Sequence, residues 1–356
     1  MYNGLTGWAA HTRQGFLLIM YQNMDCHTII VLQFYDSVFI YPDSLSGLFY
    51  WKIRCNFLLY QFLCVYQENE FTRKETKMEI TGSIKEVRAQ VKEWRKQGLT
   101  VGLVPTMGYL HEGHKSLIDR AVLENDKVVV SDFVNPIQFG VNEDLSTYPR
   151  DIEADKKLCE AAGAALIFHP EPEEMYAPDF STYVETEHVN AGLCGKTRPT
   201  HFRGVCTVVS KLFNIVAPDK AYFGQKDAQQ LAVIRRMVRD LNMDIEIIGC
   251  PIIREADGLA KSSRNTYLSP EERKAALVLS KAIFHGEEMV KNGEKKADVI
   301  LTEMKQIIEA EPLAKIDYVE MVNADSIETI EEVKGRVLVA MAVYIGKTRL
   351  IDNFIV

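Results

Sequence analysis

From residue 78 to about residue 250, short apolar runs alternate with stretches of helical period. The runs "TVGLV", "KVVVSDFV", "AALIF", "KAYF" and "IEIIGC" have the length and β-branched content of buried strands. Helical patterns lie between them, such as "SIKEVRAQVKEWRKQG", where Ser83 and Glu86 predict a capping box. The alternation predicts a doubly wound parallel sheet with helices on both faces, a Rossmann-like α/β fold. Such sheets bind ligands beyond the carboxyl ends of their strands.

After about residue 253 the pattern changes. "SPEERKAALVLSKAIF" predicts a helix with Ser269 as N-cap and Pro270 at its first position. A second helical run and three strand-like runs follow, "KIDYVEMVN", "RVLVAMAVYIG" and "TRLIDNFIV". We therefore expect a Rossmann-like domain over residues 78–252 and a smaller α+β C-terminal lid domain over residues 253–356.

The first 77 residues differ in composition from the rest of the chain. They hold 16 of the 34 Phe, Trp and Tyr residues but only two alanines, and no sustained period of 2 or 3.6. Their apolar runs are shorter than the roughly 20 residues of a membrane helix, and no signal peptide is recognisable. A small extra domain is one interpretation. We favour a non-native extension, with Met78 as the natural start.

Charge and cysteine content narrow the function classes. The formal net charge is −8, which argues against a nucleic-acid partner and requires a local cluster of cations for any anionic ligand. The seven cysteines are odd in number and form no CxxC pair. This argues against a disulfide framework or a zinc ribbon and suits a reducing, cytoplasmic location. No membrane partner is expected.

The segment "PTMGYLHEGHKSL", residues 105–117, joins a buried strand to a helix. Gly108 permits a tight turn, and Gly113 lets the backbone approach a ligand closely. We expect the helix to begin near His114, where free N–H groups and the helix dipole favour phosphate. The imidazoles of His111 and His114 then donate to phosphate oxygens. A spacing of three does not match the HExxH of zinc helices. A capped turn with incidental histidines is the ordinary alternative.

The segment "FVNPIQFG" follows another buried strand. Pro136 ends the strand, and the flanking amides of Asn135 and Gln138 turn into the cleft. An amide both donates and accepts hydrogen bonds, so it suits a hydroxy acid. An ordinary Asn-Pro turn is the alternative.

The segment "FGQKDAQQL" also lies between a strand and a helix. Lys226 can neutralise phosphate, and Asp227 can cap the helix or hold Mg²⁺. Gln230 falls on the same helix face one turn later. A capped surface helix with a solvated lysine is the alternative.

Two further segments, "GLAKSSRNTYLS" and "GKTRPTHFRGV", combine cations with hydroxyl or imidazole groups. Their polar residues are Lys261, Ser262, Ser263, Arg264 and Asn265 in the first and Arg198, His201 and Arg203 in the second. Small hydroxyl residues beside cations are typical of a phosphate-binding loop, and a solvated loop is the alternative. Several cationic clusters in an acidic chain are what a nucleotide triphosphate requires.

In their order along the chain, with "GKTRPTHFRGV" third, the five motifs resemble those of the pantoate–β-alanine ligases, over about residues 78–356. HxGH alone would indicate only the nucleotidyltransferase superfamily. The resemblance implies a Rossmann-type domain with a lid, paired as a homodimer. It also implies two half-reactions. Pantoate attacks the α-phosphorus of Mg·ATP to give pantoyl adenylate and pyrophosphate, and the amine of β-alanine then attacks the acyl carbon to give pantothenate and AMP.

The resemblance implies roles for residues as well. Gln138 and Gln230 hold pantoate, Gln138 also meets β-alanine, and His114 is the residue often labelled as proton donor. We interpret His114 as a stabiliser of charge on the transition-state phosphate. The expected catalytic residues are His111, His114, Lys226 and Arg264. The expected ATP contacts are Met107, Gly108, Tyr109, Leu110, His111, Glu112, Gly113, His114, Gly224, Gln225, Lys226, Asp227, Ile253, Lys261, Ser262, Ser263 and Arg264.

We also expect Asn135 and Arg198 to contact pantoate or β-alanine, and Asp227 to bind Mg²⁺. Lys261 stands where the family often has Met or Leu. Two other functions compete, namely a nucleotidyltransferase with a phosphate acceptor and a metal-bound or nucleotide-sensing protein without turnover. A nucleotidyltransferase would not need the amides of "FVNPIQFG", which argues against that function. Gln138 and Gln230 supply a pocket in addition to the ATP site, which argues against a protein that only senses a nucleotide. No serine or cysteine lies in a nucleophile elbow, so a covalent acyl-enzyme is not expected.

Overall fold

The computed structural model describes residues 16–23, 26–33, 78–141 and 143–356. Residues 1–74 and 75–356 form two compact units. In the first unit, strands β1 (Phe16–Asn23) and β2 (Cys26–Gln33) pair antiparallel as a hairpin, which the sequence patterns did not predict. The remainder of that unit lies outside the described residues. The interpretation of residues 1–77 as a non-native extension stays a prediction.

A six-stranded parallel sheet forms the larger part of the second unit. Its strands are β3 (Glu79–Thr81), β4 (Val101–Thr106), β5 (Lys127–Asp132), β6 (Leu166–Phe168), β7 (Lys220–Gly224) and β8 (Glu246–Cys250). The order across the sheet is β3-β6-β5-β4-β7-β8, and every neighbouring pair is parallel. The predicted doubly wound fold is confirmed. Strand β3 was missed because three residues are too few to show a period.

Helices cover both faces of this sheet. They are α1 (Ile84–Lys96), α2 (Glu112–Glu124), α3 (Ile152–Ala162), α4 (Pro172–Met175), α5 (Cys194–Thr197), α6 (His201–Val216) and α7 (Ala228–Asp240). On β4, Leu103 belongs to the core formed with α1, α6 and α7, whereas Val104 belongs to the core formed with α2 and α3. Because both faces are buried, the strands read as continuous apolar runs.

Two of the predicted helix boundaries have different outcomes. The capping box at α1 is wrong, because the Ser83 side chain makes no cap hydrogen bond and Glu86 instead accepts one from the Thr81 hydroxyl. The predicted N-cap Ser269 is confirmed, since its hydroxyl accepts from the backbone N–H of Glu272 at 3.2 Å. Ser83 and Ser269 are each followed by a glutamate three residues later. What distinguishes the two sites is Thr81 of β3, which bonds to Glu86.

The C-terminal part packs three helices on a three-stranded antiparallel sheet. The elements are α8 (Pro270–Ala275), α9 (Leu277–Lys291), α10 (Ala297–Glu309), β9 (Ala314–Asn323), β10 (Val337–Ile345) and β11 (Thr348–Ile355). Val339 of β10 packs with these helices, whereas Leu338 and Ala340 on its other face join the core of the parallel-sheet part. The predicted smaller α+β part is confirmed, and the boundary at residues 252 and 253 stays a prediction. No helix within the described residues is long and apolar enough to cross a bilayer.

The order of strands reverses beside β4, which has β5 on one side and β7 on the other. A crevice forms at the carboxyl ends of strands where this reversal occurs. The motif with two histidines follows β4, "FVNPIQFG" follows β5 and "FGQKDAQQL" follows β7. The topology therefore gathers three separate motifs at one crevice.

Candidate active site

Two adjoining cavities open at this crevice. The inner pocket has a volume of about 210 Å³, and the outer cleft, which reaches the C-terminal sheet, about 710 Å³. Both are lined by Lys226, Asp227, Gln230, Ser262 and Arg264. The inner pocket brings together many predicted site residues: Met107, His111, Gly113, His114, Asn135, Gln138, Gly224, Lys226, Asp227, Gln230, Ile253, Lys261, Ser262, Ser263 and Arg264.

Other predicted site residues lie elsewhere. Arg198 lines the outer cleft and not the inner pocket. Five residues that we expected to touch ATP line neither cavity: Gly108, Tyr109, Leu110, Glu112 and Gln225.

The two histidines cap the helix that follows them. Helix α2 begins at Glu112, two residues earlier than expected, with His111 as its N-cap. The backbone N–H of Gly113 donates to His111 Nδ1 at 3.1 Å, and the backbone N–H of His111 donates to His114 Nδ1 at 3.2 Å. Because a backbone N–H can only donate, both Nδ1 atoms are unprotonated. Each neutral ring therefore carries its hydrogen on Nε2.

The charge state of these rings follows from their surroundings. Burial, together with the Lys226 ammonium, lowers the pKa of His111 to about 4. Burial also holds the pKa of His114 well below its usual value, and neighbouring His111 and Lys226 add to this. Both imidazoles are therefore neutral at neutral pH and offer Nε2–H donors. They have no acidic proton to release, which supports the interpretation of His114 as a stabiliser of charge.

The backbone of this turn provides fewer free N–H groups for phosphate than expected. Tyr109 and Leu110 donate their N–H groups to the Asp155 carboxylate at 2.7 and 2.6 Å, and Gly108 donates to the Thr106 hydroxyl at 3.2 Å. With the two cap bonds above, five N–H groups of the turn bond within the protein. These five N–H groups are therefore not available to phosphate. For the N–H groups of Glu112 and His114 at the start of α2, phosphate binding stays a prediction.

Packing against His111 gives a reason for glycine at position 113. A Cβ added there would lie 2.8 Å from the His111 ring. Gly113 also lines the inner pocket, and the expected close approach of a ligand to its backbone stays a prediction.

The amides after β5 have distinct roles. Asn135 is only 1% exposed, and its amide donates to Gln138 Oε1 at 3.1 Å and to the Gly204 carbonyl at 3.2 Å, while its oxygen accepts from the Tyr176 hydroxyl at 2.6 Å. Its polar atoms are thus occupied within the protein, so Asn135 positions Gln138. Gln138 Nε2 donates to Met107 Sδ at 2.7 Å. Thioether sulfur is a weak acceptor, so a polar substrate would replace this bond.

Two adjacent glutamines of α7 also differ. Gln229 is buried and bonds to backbone groups of Val189, Gly192 and Cys194. Gln230 lines both cavities. Of this pair, Gln230 is the one placed to contact a substrate, in agreement with the helical spacing.

The cations of the site are paired with carboxylates. The pairs are Lys261 with Glu112 at 3.0 Å, Arg264 with Asp144 through two bonds of 2.9 Å, Arg198 with Glu143, and Lys226 with Asp227 at 3.6 Å. The sequence analysis missed Glu143 and Asp144, which lie in the irregular segment "GVNEDLSTYPR". Two neighbouring acids in a loop beside a predicted cationic cleft are the signal that would have revealed them.

His201 and Arg203 do not belong to the cationic cluster. His201 Nε2 lies 3.2 Å from Arg198 Nη1 and its Nδ1 lies 3.1 Å from the Gln138 carbonyl, and burial lowers the pKa of His201 to about 4. The neutral ring therefore links Arg198 to the Gln138 backbone. Arg203 stacks on the Tyr183 ring at 4.8 Å and lines neither cavity.

Hydrogen bonds dock the loop 261–264 onto the histidine turn. The Ser263 hydroxyl donates to the Tyr109 carbonyl at 3.3 Å, and the Lys261 N–H donates to the Ile253 carbonyl at 2.9 Å. The Ile253 carbonyl, expected near adenine, is thus already bonded within the protein. Asn353 of β11, which sequence analysis missed, donates to the carbonyls of Gln225 and Lys226 at 3.1 and 2.8 Å. A buried amide in an apolar strand was its only signal.

Known proteins of similar sequence identify the family of this chain. The profile of the family described as Pantoate-beta-alanine ligase matches residues 79–355. This chain belongs to the pantoate–β-alanine ligase family. It is 63% identical over 277 residues to the pantothenate synthetase of Clostridium acetobutylicum, a match that covers 78% of this chain and 99% of the relative. It is 64% identical over 277 residues to that of Ruminiclostridium cellulolyticum, covering 78% and 98%.

Solved structures of the ligase family share the fold. The pantothenate synthetase of Thermus thermophilus superposes with a TM-score of 0.74 at 44% identity, covering 78% of this chain and 99% of that chain. The pantoate–β-alanine ligase of Francisella tularensis, a complex with β-γ ATP and β-alanine, gives a TM-score of 0.65 at 34% identity, covering 78% and 97%. The family match leaves the first 78 residues of this chain outside it.

Asp227 has the chemistry of a magnesium ligand in a ligase of this family. It stands at the N-cap of α7, but its side chain makes no cap hydrogen bond, so the predicted cap is wrong. Its carboxylate lines both cavities instead. Mg²⁺ in nucleotide sites is usually held by one or two carboxylates together with substrate phosphates. A single carboxylate at this position fits that pattern. In the described part of the chain, no group of three or more His, Cys, Asp or Glu side chains is arranged to hold a metal by itself.

Cys206, which directly follows the motif "GKTRPTHFRGV", shows no sign of a nucleophile. Cys206 is buried and free, and burial raises its pKa to about 12. A thiol of that acidity is protonated at neutral pH and does not attack an acyl group. This agrees with the expectation that the ligase forms no covalent acyl-enzyme.

Proposed function

We propose that this chain joins pantoate to β-alanine at the expense of ATP, through a pantoyl adenylate, with release of AMP and pyrophosphate. The observation that carries the proposal is the inner pocket. It is lined by His111 and His114, whose rings carry Nε2–H donors, and by Lys226 and Gln138. Donors for phosphate and an amide for a hydroxy acid thus meet in one volume.

In the first step, Gln138 and Gln230 hold the hydroxyl and carboxylate groups of pantoate. The held carboxylate faces the α-phosphorus of ATP. His111 and His114 donate to the phosphoryl oxygens, where negative charge grows in the transition state, and Lys226 neutralises part of it. Holding two reactants in a fixed orientation can lower the activation barrier by up to about 7–11 kcal/mol. The chain therefore acts by positioning and by electrostatic stabilisation.

In the second step, the amine of β-alanine attacks the acyl carbon of the adenylate. Gln138 is already placed beside that carbon, because it held the pantoate. The C–N bond forms as the bond from the acyl carbon to the AMP oxygen breaks. Arg264 and Lys261 retain AMP while the loop 261–264 excludes water.

Asp227 would hold Mg²⁺ together with ATP oxygens. When bound, the ion neutralises charge on the triphosphate. We also propose a homodimer, as the family resemblance implies, and a cytoplasmic location, which suits the free cysteines among the described residues. Light scattering of the purified protein measures the first of these.

Isotope exchange tests the reaction. With pantoate present and β-alanine absent, labelled pyrophosphate should exchange into ATP. Pantoate labelled with ¹⁸O in its carboxylate should pass one labelled oxygen to AMP. Label that remains wholly in pantothenate contradicts the adenylate, and transfer of AMP to a phosphate acceptor instead would favour a nucleotidyltransferase.

A further inference from the structure

A carboxylate from α3 grips the turn that carries the histidines. Asp155 accepts the backbone N–H groups of Tyr109 and Leu110, one on each carboxylate oxygen. The turn has left-handed backbone at Gly108 (φ 78°) and at Tyr109 (φ 51°). Successive N–H groups in such a turn converge on an anion. Here the anion is part of the protein.

The turn held by Asp155 is joined to the histidines and to the loop 261–264, the two groups expected to bind phosphate. Leu110 directly precedes His111, the N-cap of α2. The Tyr109 carbonyl accepts the hydroxyl of Ser263 at 3.3 Å. Displacement of Asp155 therefore moves the imidazole donors and the loop 261–264 together.

A second carboxyl group lies against the first. Asp132, the last residue of β5, is only 4% exposed, and its Oδ2 has no hydrogen-bond partner among the described residues. A Cβ added at Gly108 would overlap Asp132 Oδ1 and would lie 3.3 Å from Asp155 Oδ2. Both carboxyl groups thus converge on the same glycine.

Two buried carboxyl groups at close range do not both ionise freely. Burial raises the pKa of Asp155 to about 6, and the Asp132 carboxylate contributes in the same direction, although the Leu110 N–H opposes it. The other titratable groups facing the pair are His169, whose Nδ1 lies 3.6 Å from Asp132 Oδ1, and Cys159 on α3. The Asp132 carboxylate raises the pKa of His169, and burial raises that of Cys159 to about 12. Asp155 is therefore the carboxyl group of this cluster that titrates near pH 6, and His169 loses its proton at a higher pH than usual.

We propose that Asp155 is a positioning residue for the ATP-binding turn, and that its contact with Asp132 makes the position of the turn depend on pH. The proposal rests on the proposed function, because the turn serves that reaction. Below pH about 6 Asp155 is protonated, which makes its carboxyl group a weaker acceptor and loosens its hold on Tyr109 and Leu110. Above that pH the charged carboxylate accepts both N–H groups more strongly, and the turn is held closely.

Amide resonances of the ligand-free protein test the grip without any catalysis. With ¹⁵N-labelled tyrosine and leucine, the amide protons of Tyr109 and Leu110 should shift together with a midpoint near pH 6. In Asp132→Asn the midpoint should fall toward the ordinary aspartate value of about 4. Equal midpoints in both proteins, or amides insensitive to pH between about 4 and 8, overturn the proposal.

Kinetics test the link to the reaction. Asp155→Asn should lower kcat of pantoate-dependent pyrophosphate exchange about tenfold to a hundredfold, as expected for hydrogen bonds to a charged group. The control is Asp151→Ala on the same helix, which removes an N-cap bond to Ala154 of 3.0 Å. It should lower thermal stability and leave the kinetic constants of the folded protein unchanged. Equal kcat in Asp155→Asn and wild type overturns the positioning role.

Asp132→Asn keeps the proposal testable if Asp155→Asn does not fold. In wild type, KM for Mg·ATP should fall several-fold from pH about 5.5 to about 7.5 beyond any fall in Asp132→Asn, because Asp155 of that variant is already charged at the lower pH. The comparison cancels the titration of ATP itself. Parallel profiles overturn the pH dependence. If wild type shows no exchange at all, the proposed function fails, and the amide titration still decides whether the carboxyl pair holds the turn.

Discussion

The two sides of the inner pocket are built differently. On the amide side, Asn135 and Gln138 are buried and bonded to each other and to the Gly204 carbonyl. On the cation side, Arg264 and Lys261 are bonded to carboxylates of partly exposed side chains. One side is bonded to the interior of the fold, and the other to groups that a competing anion can replace.

The difference shows how a chain with a net charge of −8 can accept a polyanion. Each cation of the site forms an ion pair with a carboxylate, and each pair has no net charge. Repulsion between the cations therefore does not oppose folding. The carboxylates paired with Lys261 and Lys226 are exposed, and exposed ion pairs stabilise by only about 0–1 kcal/mol, so exchanging these carboxylates for phosphate costs little. On the amide side the bond to be exchanged is that of Gln138 to Met107, while the Gln138 oxygen is held by Asn135 before substrate binds.

The largest expected effect concerns the donor of the cation side. His114→Asn keeps an acceptor for the His111 N–H but removes the Nε2–H donor, whereas His114→Gln places an amide N–H near the Nε2 position and loses the cap. The Asn variant should lose about 100-fold or more in kcat of pyrophosphate exchange, and the Gln variant clearly less. Exchange assays and thermal melts measure both. A wild-type rate in the Asn variant contradicts the donor role.

A tenfold effect is expected on the amide side. In Gly204→Ala the new Cβ would lie 2.5 Å from Gln138 Cα. The strain should cost about 1–3 kcal/mol in the free energy of unfolding, and the displaced amide should raise KM for pantoate about tenfold, with KM for ATP nearly unchanged.

The matched control is Gly192→Ala, where the nearest atom, of Ile327, is 3.6 Å away. Denaturant unfolding and steady-state kinetics compare the two variants. Equal changes in both KM values for Gly204→Ala would show that the two sides are not independent.

A smaller effect should follow from removing one exchangeable partner. Asp144→Asn frees Arg264, so Mg·ATP should bind about twofold to fivefold more tightly at low salt, and the gain should shrink as salt rises. Calorimetric titration measures this. Asp325→Asn, whose partner Arg336 lies on the surface, is the control. Weaker binding in Asp144→Asn would mean that Asp144 orients Arg264 for ATP.

The smallest effect is expected from pH on turnover. Because the pKa of His111 is about 4 and that of His114 is lower than usual, kcat of exchange should vary less than about twofold from pH 6.5 to 8.5. The unfolded imidazoles protonate near pH 6.5, so the free energy of unfolding should fall as pH falls from about 6.5 to about 4. Denaturation at several pH values measures this, and His111→Asn should flatten the slope. A kcat transition near pH 6.5 would contradict neutral imidazoles.

Many residues of this site could be predicted from the sequence because the topology of the sheet brings their motifs together. Motifs that follow β4, β5 and β7 meet at one crevice whenever a parallel sheet reverses its order there. The partners of each group were not accessible. Asp155 reaches the turn from 45 residues or more along the chain, and its helical pattern is that of any amphipathic helix. Ser83 and Ser269 show the same limit, since a competing neighbour decides which of two similar serines caps its helix.

The placement of β10 attaches a free-energy cost to any rigid-body opening of the C-terminal part. One face of the strand packs against the C-terminal helices through Val339, and the other places Leu338 and Ala340 in the core of the parallel sheet. Swinging the C-terminal part away as a rigid body would expose that apolar face, at about 25 cal/mol for each Å². A shift of the loop 261–264 alone leaves that face covered, so it is the less costly way to admit a substrate.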